Sequence, residues 1–157
     1  MLKILNASPG FGAPLGEQDL KEFLTTKVLN LYLGTVDEKG HANIHPVGYY
    51  YDPLKNRFYI LTAKESKKTH NLSRNETVYF CVDDPNPSYK GIRGKGTARI
   101  LEEVNFNLDI WERIMARYIG NLEDPMAIAL KDELKKGNAI VLEISPKYFS
   151  TWDYSKQ

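Results

Sequence analysis

The chain has 157 residues, 42% of them hydrophobic and 26% charged, with 21 Lys+Arg against 20 Asp+Glu for a formal net charge of +1. That length can bury a core within a single domain spanning 1–157. The near-neutral balance argues against nucleic acid or an acidic membrane surface as partner, so any anion site has to be local. One cysteine, Cys81, excludes an internal disulfide and a cysteine-based zinc cluster; inside the apolar run 78–82 it reads as a buried structural thiol.

Residues 1–16 are rich in Gly and Pro and read as an irregular arm. Their short apolar patch lacks the long hydrophobic region of a signal peptide. No stretch approaches the ~20 apolar residues of a membrane span, so a cytoplasmic chain with no membrane partner is expected. Residues 17–27 predict a short helix, with Leu20, Phe23 and Leu24 on one face and acids near its start. Strands then dominate. Residues 28–36, the turn Asp37-Glu38-Lys39-Gly40 and residues 41–51 predict a hairpin. A second turn at 52–56 leads into a third strand over 57–63. A helix over about 66–74 and a strand over 76–82 follow.

Residues 89–102 alternate best. Ile92, Gly94, Gly96, Ala98 and Ile100 face one way, and Arg93, Lys95, Thr97 and Arg99 the other, as in an antiparallel strand packed on one side. The small residues imply close packing against something bulky, or barrel curvature. Val104, Leu108, Trp111, Met115 and Ile119 repeat at helical spacing. Residues 125–136 predict another helix, stopped by Gly137, and 103–137 together form a helical insert. Strands over 138–144 and 148–154 complete the chain. Tight turns between the first strands exclude parallel crossovers. The expected fold is therefore mainly β (α+β): a six- to seven-stranded antiparallel barrel with peripheral helices.

The most informative stretch is the strand-to-helix junction Phe58–Asn75. Lys67 and Lys68 stand in the first turn of a helix, where the macrodipole already disfavours cations. An anion there would reconcile them, since free amides, the Ser66 hydroxyl and two ammonium groups suit a phosphate. Solvated surface lysines are the alternative. The run Gly91–Thr97 lacks nucleotide-loop spacing and reads as a glycine-rich strand. Its basic face is either solvated or lines a cleft. His41 and His45, on a strand, stand ~13 Å apart, too far for one metal ion, and no metal site is expected. No nucleophile elbow or paired acid and base appears, so catalytic residues stay unassigned and any chemistry would belong to a cofactor. Ten Tyr, six Phe and two Trp suggest core or subunit interface; Trp152 could instead stack beside a planar ring.

The ordered pieces Leu33-Gly34-Thr35-Val36, His45-Pro46-Val47-Gly48-Tyr49, Phe58–Thr62, Lys67-Lys68-Thr69-His70-Asn71-Leu72-Ser73-Arg74-Asn75 and Gly94-Lys95-Gly96-Thr97-Ala98 resemble the pyridoxamine 5′-phosphate oxidase-like FMN-binding split β-barrel family, over about 18–102. The resemblance implies a homodimer with FMN at the interface and a small-molecule substrate. Backbone at His45, Pro46, Val47 and Gly48 would border the isoalloxazine ring. Ile60, Leu61 and Thr62 would flank the ribityl chain, and Ser66, Lys67 and Lys68 would hold the phosphate. Arg93 and Trp152 would come from the other subunit. The implied activity is a flavin-dependent oxidoreductase, with a deazaflavin-dependent reductase or a non-catalytic flavin-binding or storage protein as alternatives. Authentic pyridoxamine phosphate oxidases carry an Arg-x-His element after a C-terminal tryptophan. Here Trp152 is followed by Asp153-Tyr154-Ser155-Lys156-Gln157, so vitamin B6 oxidation is not expected.

Overall fold

The computed structural model describes residues 1–155. The elements, in chain order, are β1 (Ile4–Asn6), α1 (Glu17–Thr26), β2 (Leu31–Val36), β3 (Ala42–Val47), β4 (Tyr50–Asp52), β5 (Arg57–Ala63), α2 (Lys67–Arg74), β6 (Thr77–Asp83), β7 (Lys90–Leu101), α3 (Val104–Tyr118), α4 (Pro125–Lys136) and β8 (Ala139–Asp153). The strands form one curled antiparallel sheet in the order β3-β2-β6-β7-β8-β5-β4, and β1 adds to β8 in parallel. The expected mainly-β antiparallel architecture of six to seven strands with peripheral helices is present as a curled half-barrel of seven strands, with β1 as an eighth. No described helix is long and apolar enough to cross a membrane.

The strands at the two ends of that order, β3 and β4, are consecutive in the chain and separated only by Gly48 and Tyr49. So short a link forces the ends of the sheet together and imposes the curl. Residues 41–51, expected as one strand, are therefore two, because the backbone must leave the β2 ladder before it can join β5. Conversely, the two strands expected at 138–144 and 148–154 are one. A register shift opposite Lys95 and Gly96 takes up Lys147 as a bulge, and Pro146 sits there, where a missing N–H is tolerated.

The glycines of β7 make this crossing possible. A Cβ on Gly94 would stand 2.4 Å from the Tyr148 carbonyl oxygen and 2.6 Å from the Phe80 ring, and one on Gly96 2.5 Å from the Ser145 carbonyl oxygen. The close packing expected of the small face of this strand is present.

Inside the barrel, Phe58 packs against Tyr51, Phe80, Tyr49 and Phe149 at centroid distances of 4.9, 5.2, 5.5 and 6.3 Å. Leu20, Phe23 and Leu24 of α1 join this core. Outside it, α3 and α4 bury Ile110, Trp111, Ile114, Met115 and Leu134 against Tyr59 and Val141. Their ends follow capping chemistry. Glu103 accepts the Asn105 and Phe106 amides, Asp124 accepts the Met126 amide with Pro125 at the first position, and Gly137 closes α4 at φ 79°.

The arm at 1–16, expected to be irregular, contains β1. It is fixed along the second half of β8: the Phe149 amide donates to the Lys3 carbonyl at 2.8 Å and the Leu15 amide to Thr151 Oγ1 at 2.8 Å.

Candidate functional site

An antiparallel sheet that curls without closing leaves one seam. Here β4 pairs only with Arg57–Tyr59, so Ile60–Ala63 have β8 on one side and no strand on the other. Strand β3 likewise has β2 on one side alone. The two free edges diverge from the Gly48–Tyr49 link. Each carries backbone N–H and C=O groups that no ladder uses. The N-cap of α2, Ser66, stands at the far end, four residues after Thr62 in sequence.

That end is built by hydroxyls. Thr62 Oγ1 donates to Ser66 Oγ at 3.1 Å, and Ser66 Oγ accepts the Thr69 amide at 3.3 Å. Thr69 Oγ1 donates to the Ala63 carbonyl at 3.1 Å, so in its 2.9 Å contact with Ser66 it is Ser66 that donates. Ser66 is thus the N-cap of α2, with its proton committed to Thr69. Its carbonyl and hydroxyl take the His70 and Thr69 amides. The Lys67 and Lys68 amides are left without an acceptor among the described residues, as the first turn of a helix requires. Asn71, fully buried, donates to Thr35 Oγ1 at 3.0 Å and pins α2 to β2.

The two lysines are not equivalent. Lys67 is drawn to the surface by Glu38, at 3.5 Å, and Glu38 also receives Arg74 at 2.9 Å. The Glu38 carboxyl is held below its ordinary value first by its own backbone amide, then by Arg74 and Lys67. Lys68 is half-buried with no carboxylate within ion-pair distance among the described residues, and burial lowers its pKa. Beside it, His45 shares a register with the buried Leu33 and so faces the barrel interior. Burial first, and then the Lys68 charge, push the His45 imidazole below its ordinary value. Its Nε2 is buried and has no hydrogen-bond partner among the described residues. A half-buried ammonium, an imidazole nitrogen without a partner and two open amides together suit an anion. A phosphate-bearing ligand fits the residues present.

Of the residues expected to form a site, the fold brings together His45, Pro46, Val47 and Gly48 on one free edge and Ile60, Leu61 and Thr62 on the other. Ser66, Lys67 and Lys68 close the end. Arg93 and Trp152 lie elsewhere. Ala139 is opposite Ala63, but Trp152 is opposite Gly91, thirteen residues on, roughly 40 Å along a curved strand at about 3.3 Å per residue. One protomer does not place them at the seam.

Arg93 instead edges an outer basin of about 500 Å³ with Tyr32, Ile44, Tyr79, Cys81 and Tyr148. Ile44 is 71% exposed and Tyr79 52%, a contiguous apolar surface. Cys81 is half-buried on this face rather than sealed in the core, and burial raises its thiol pKa. Sequence reasoning missed Arg117 and Tyr118, whose side chains reach the Gly48–Tyr49 link. Helical spacing marked only the apolar face of α3 and carried no signal for them.

Solved structures share this architecture. The conserved hypothetical protein Rv2991 from Mycobacterium tuberculosis matches with a TM-score of 0.78 and 19% identity, covering 94% of this chain and 89% of its own. An F420 reductase matches at 0.65 and 22%, covering 82% and 94%. HutZ, the heme storage protein from Vibrio cholerae, matches at 0.68 and 15%, covering 87% and 94%. At these identities the likeness is one of fold. No curated protein matches the sequence. The family model described as pyridoxamine 5′-phosphate oxidase matches residues 17–153, a span that runs from the first residue of α1 to the last of β8. The chain therefore belongs to the pyridoxamine 5′-phosphate oxidase-like family of split β-barrels, whose members typically bind a flavin.

Proposed function

We propose that the seam holds FMN and that the chain is a cytoplasmic flavin-dependent oxidoreductase acting on a small molecule. The observation that carries this reading is Lys68, a half-buried ammonium that has no counter-ion among the described residues and stands beside the buried His45 Nε2, itself unpartnered among them, at the end of two unpaired strand edges. Lys68 and the Lys67 and Lys68 amides hold the phosphate, and Ser66 shapes the helix end that presents them. The free edge around Pro46, Val47 and Gly48 offers main-chain groups to the ring, and Ile60–Thr62 flank the ribityl chain. When bound, the flavin supplies the acceptance and donation of reducing equivalents. The protein positions it and excludes water from its buried side.

Arg93 and Trp152 reach the site only from a second copy. The proposal therefore includes a homodimer, with the outer basin around Tyr32, Ile44 and Tyr79 covered by the partner. An apolar surface of this kind rimmed by Arg93 and Lys95 is typical of an interface.

The F420 reductase among the structural neighbours favours a deazaflavin as second reading. The heme storage protein shows that the fold also serves binding without an oxidoreductase name, which keeps a non-catalytic flavin-storage role in view. Absorbance of the purified protein and its released cofactor decide among these. Twin bands in the near-UV and blue mean a flavin, and one dominant violet band means a deazaflavin. A colourless protein that takes up neither in titration overturns the proposal. Bound flavin without turnover of reduced nicotinamide and varied acceptors leaves storage.

A further inference from the structure

The vertex of the seam is the link Gly48–Tyr49. Val47 is still in register with Leu31 on one side, and Tyr50 with Tyr59 on the other. Between them the backbone belongs to neither ladder. Its tie comes from the end of α3. Tyr118 Oη accepts the Tyr49 amide at 3.1 Å and donates to the Leu29 carbonyl at 2.7 Å. The Tyr118 ring lies so close over Gly48 that a Cβ there would stand 3.1 Å from it. Arg117 anchors this helix end. Its guanidinium donates to the Leu24, Thr25 and Lys27 carbonyls and to Tyr49 Oη, and lies 4.7 Å from the centre of the Tyr49 ring.

We propose that Tyr118 is a positioning residue for the ring end of the seam: by holding Gly48 and Tyr49 it sets the separation of the free edges of β3 and β5 where they diverge. The proposal rests on the flavin reading above. A hydroxyl is required at this place because one oxygen has to donate and accept at once. Phenylalanine fills the same volume but leaves an amide and a carbonyl unpaired. Six register pairs hold β3 to β2, so slack at the vertex is felt at Val47 and Pro46, not at the α2 end where Lys68 stands. The ring end and the phosphate end are therefore separable by choice of ligand. Riboflavin has the ring and lacks the phosphate.

The test compares the full chain with Tyr118→Phe and Lys68→Ala. Affinities for FMN and riboflavin are read from flavin fluorescence, and exchange of the Tyr49 amide is followed without ligand. Tyr118→Phe is expected to speed Tyr49 exchange about tenfold or more. It should weaken FMN and riboflavin alike, by about tenfold, as small misplacements of a binding edge do, leaving their ratio unchanged. Lys68→Ala is expected to collapse that ratio. A purely structural Tyr118 lowers the melting temperature and leaves both affinities intact, which overturns the inference. So does a Tyr118→Phe loss confined to FMN. If Tyr118→Phe does not fold, Gly48→Ala pushes on the same ring and should reproduce the ring-end loss; unchanged affinities there overturn the inference. Failure of the parent chain to bind either flavin removes the proposed function and this inference with it. Normal parent binding with an unaffected variant removes the inference alone.

Discussion

From β6 through β7 to β8 each strand finds a neighbour along most of its length, whereas β3 and the last four residues of β5 each have a strand on one side only. The closed wall is made by deleting side chains: Gly91, Gly94 and Gly96 stand where a Cβ would strike Trp152, the Tyr148 carbonyl or the Ser145 carbonyl at 2.3, 2.4 and 2.5 Å. The seam is made by withholding partners: strand edges end unpaired, and among the described residues half-buried Lys68 has no carboxylate within ion-pair distance and the buried His45 Nε2 has no hydrogen-bond partner. The wall spends its sequence on fit, and the seam accepts local instability that a ligand can relieve.

The contrast is tested most severely in the wall. Gly94→Val is expected to destabilise the fold by about 3 kcal/mol or more, because the Tyr148 backbone has no room to retreat. Denaturant unfolding measures it, and a loss under about 1 kcal/mol would mean the wall is not close-packed. In the seam, removing Lys67 and Lys68 together should weaken FMN at least about tenfold while the fold survives, since charge-assisted contacts are worth roughly 1.5–3 kcal/mol each. Lys68→Ala should carry most of that loss and Lys67→Ala about twofold, because Glu38 already engages Lys67. Equal effects in titration would erase the distinction drawn between them.

On the outer basin, Ile44→Asp is expected to leave a particle of one chain's mass in sedimentation at micromolar concentration, where the parent chain sediments as two. A parent chain that is itself monomeric with FMN present sinks the dimer.

The smallest effect concerns His45. Its folded pKa lies below the ordinary 6.5 of the unfolded chain. Between those values the unfolded state binds more protons, so stability rises with pH. The contribution is complete above about 6.5 and is lost as pH falls through the folded value. His45→Gln should flatten that part of the stability profile below pH 6.5, and an unchanged slope would show that the imidazole is not desolvated.

Much of this was legible in the residues. Alternation in 89–102, the Asp37–Gly40 turn and the Gly137 stop of α4 placed most elements, because period and helix-stop chemistry are local. The run Ser66–Asn75 marked the anion end, since two lysines in a first turn conflict with the helix dipole whatever surrounds them. Other features depended on distant parts of the chain. Residues 41–51 look like one strand until the sheet has to curl, and only folding gives Lys67 to Glu38 while half-burying Lys68. Nothing local distinguishes Tyr118 from any other tyrosine at a helix end. Its role exists because α3 ends over a joint seventy residues earlier in the chain.

The short strand β1 has a consequence for handling the protein. On one flank β8 pairs with β7, and on the other it pairs with β5 only as far as Ile144; Phe149–Thr151 are covered there by Ile4–Asn6. A shortened chain beginning at residue 17, where the family match starts, uncovers the main-chain groups of Phe149–Thr151 on this flank of β8. Such a bare edge recruits strands from other molecules. Removing the first sixteen residues also takes Leu15 out of the barrel core, so a trimmed chain is expected to lose both the cover of this edge and part of its packing, and to yield insoluble material on expression.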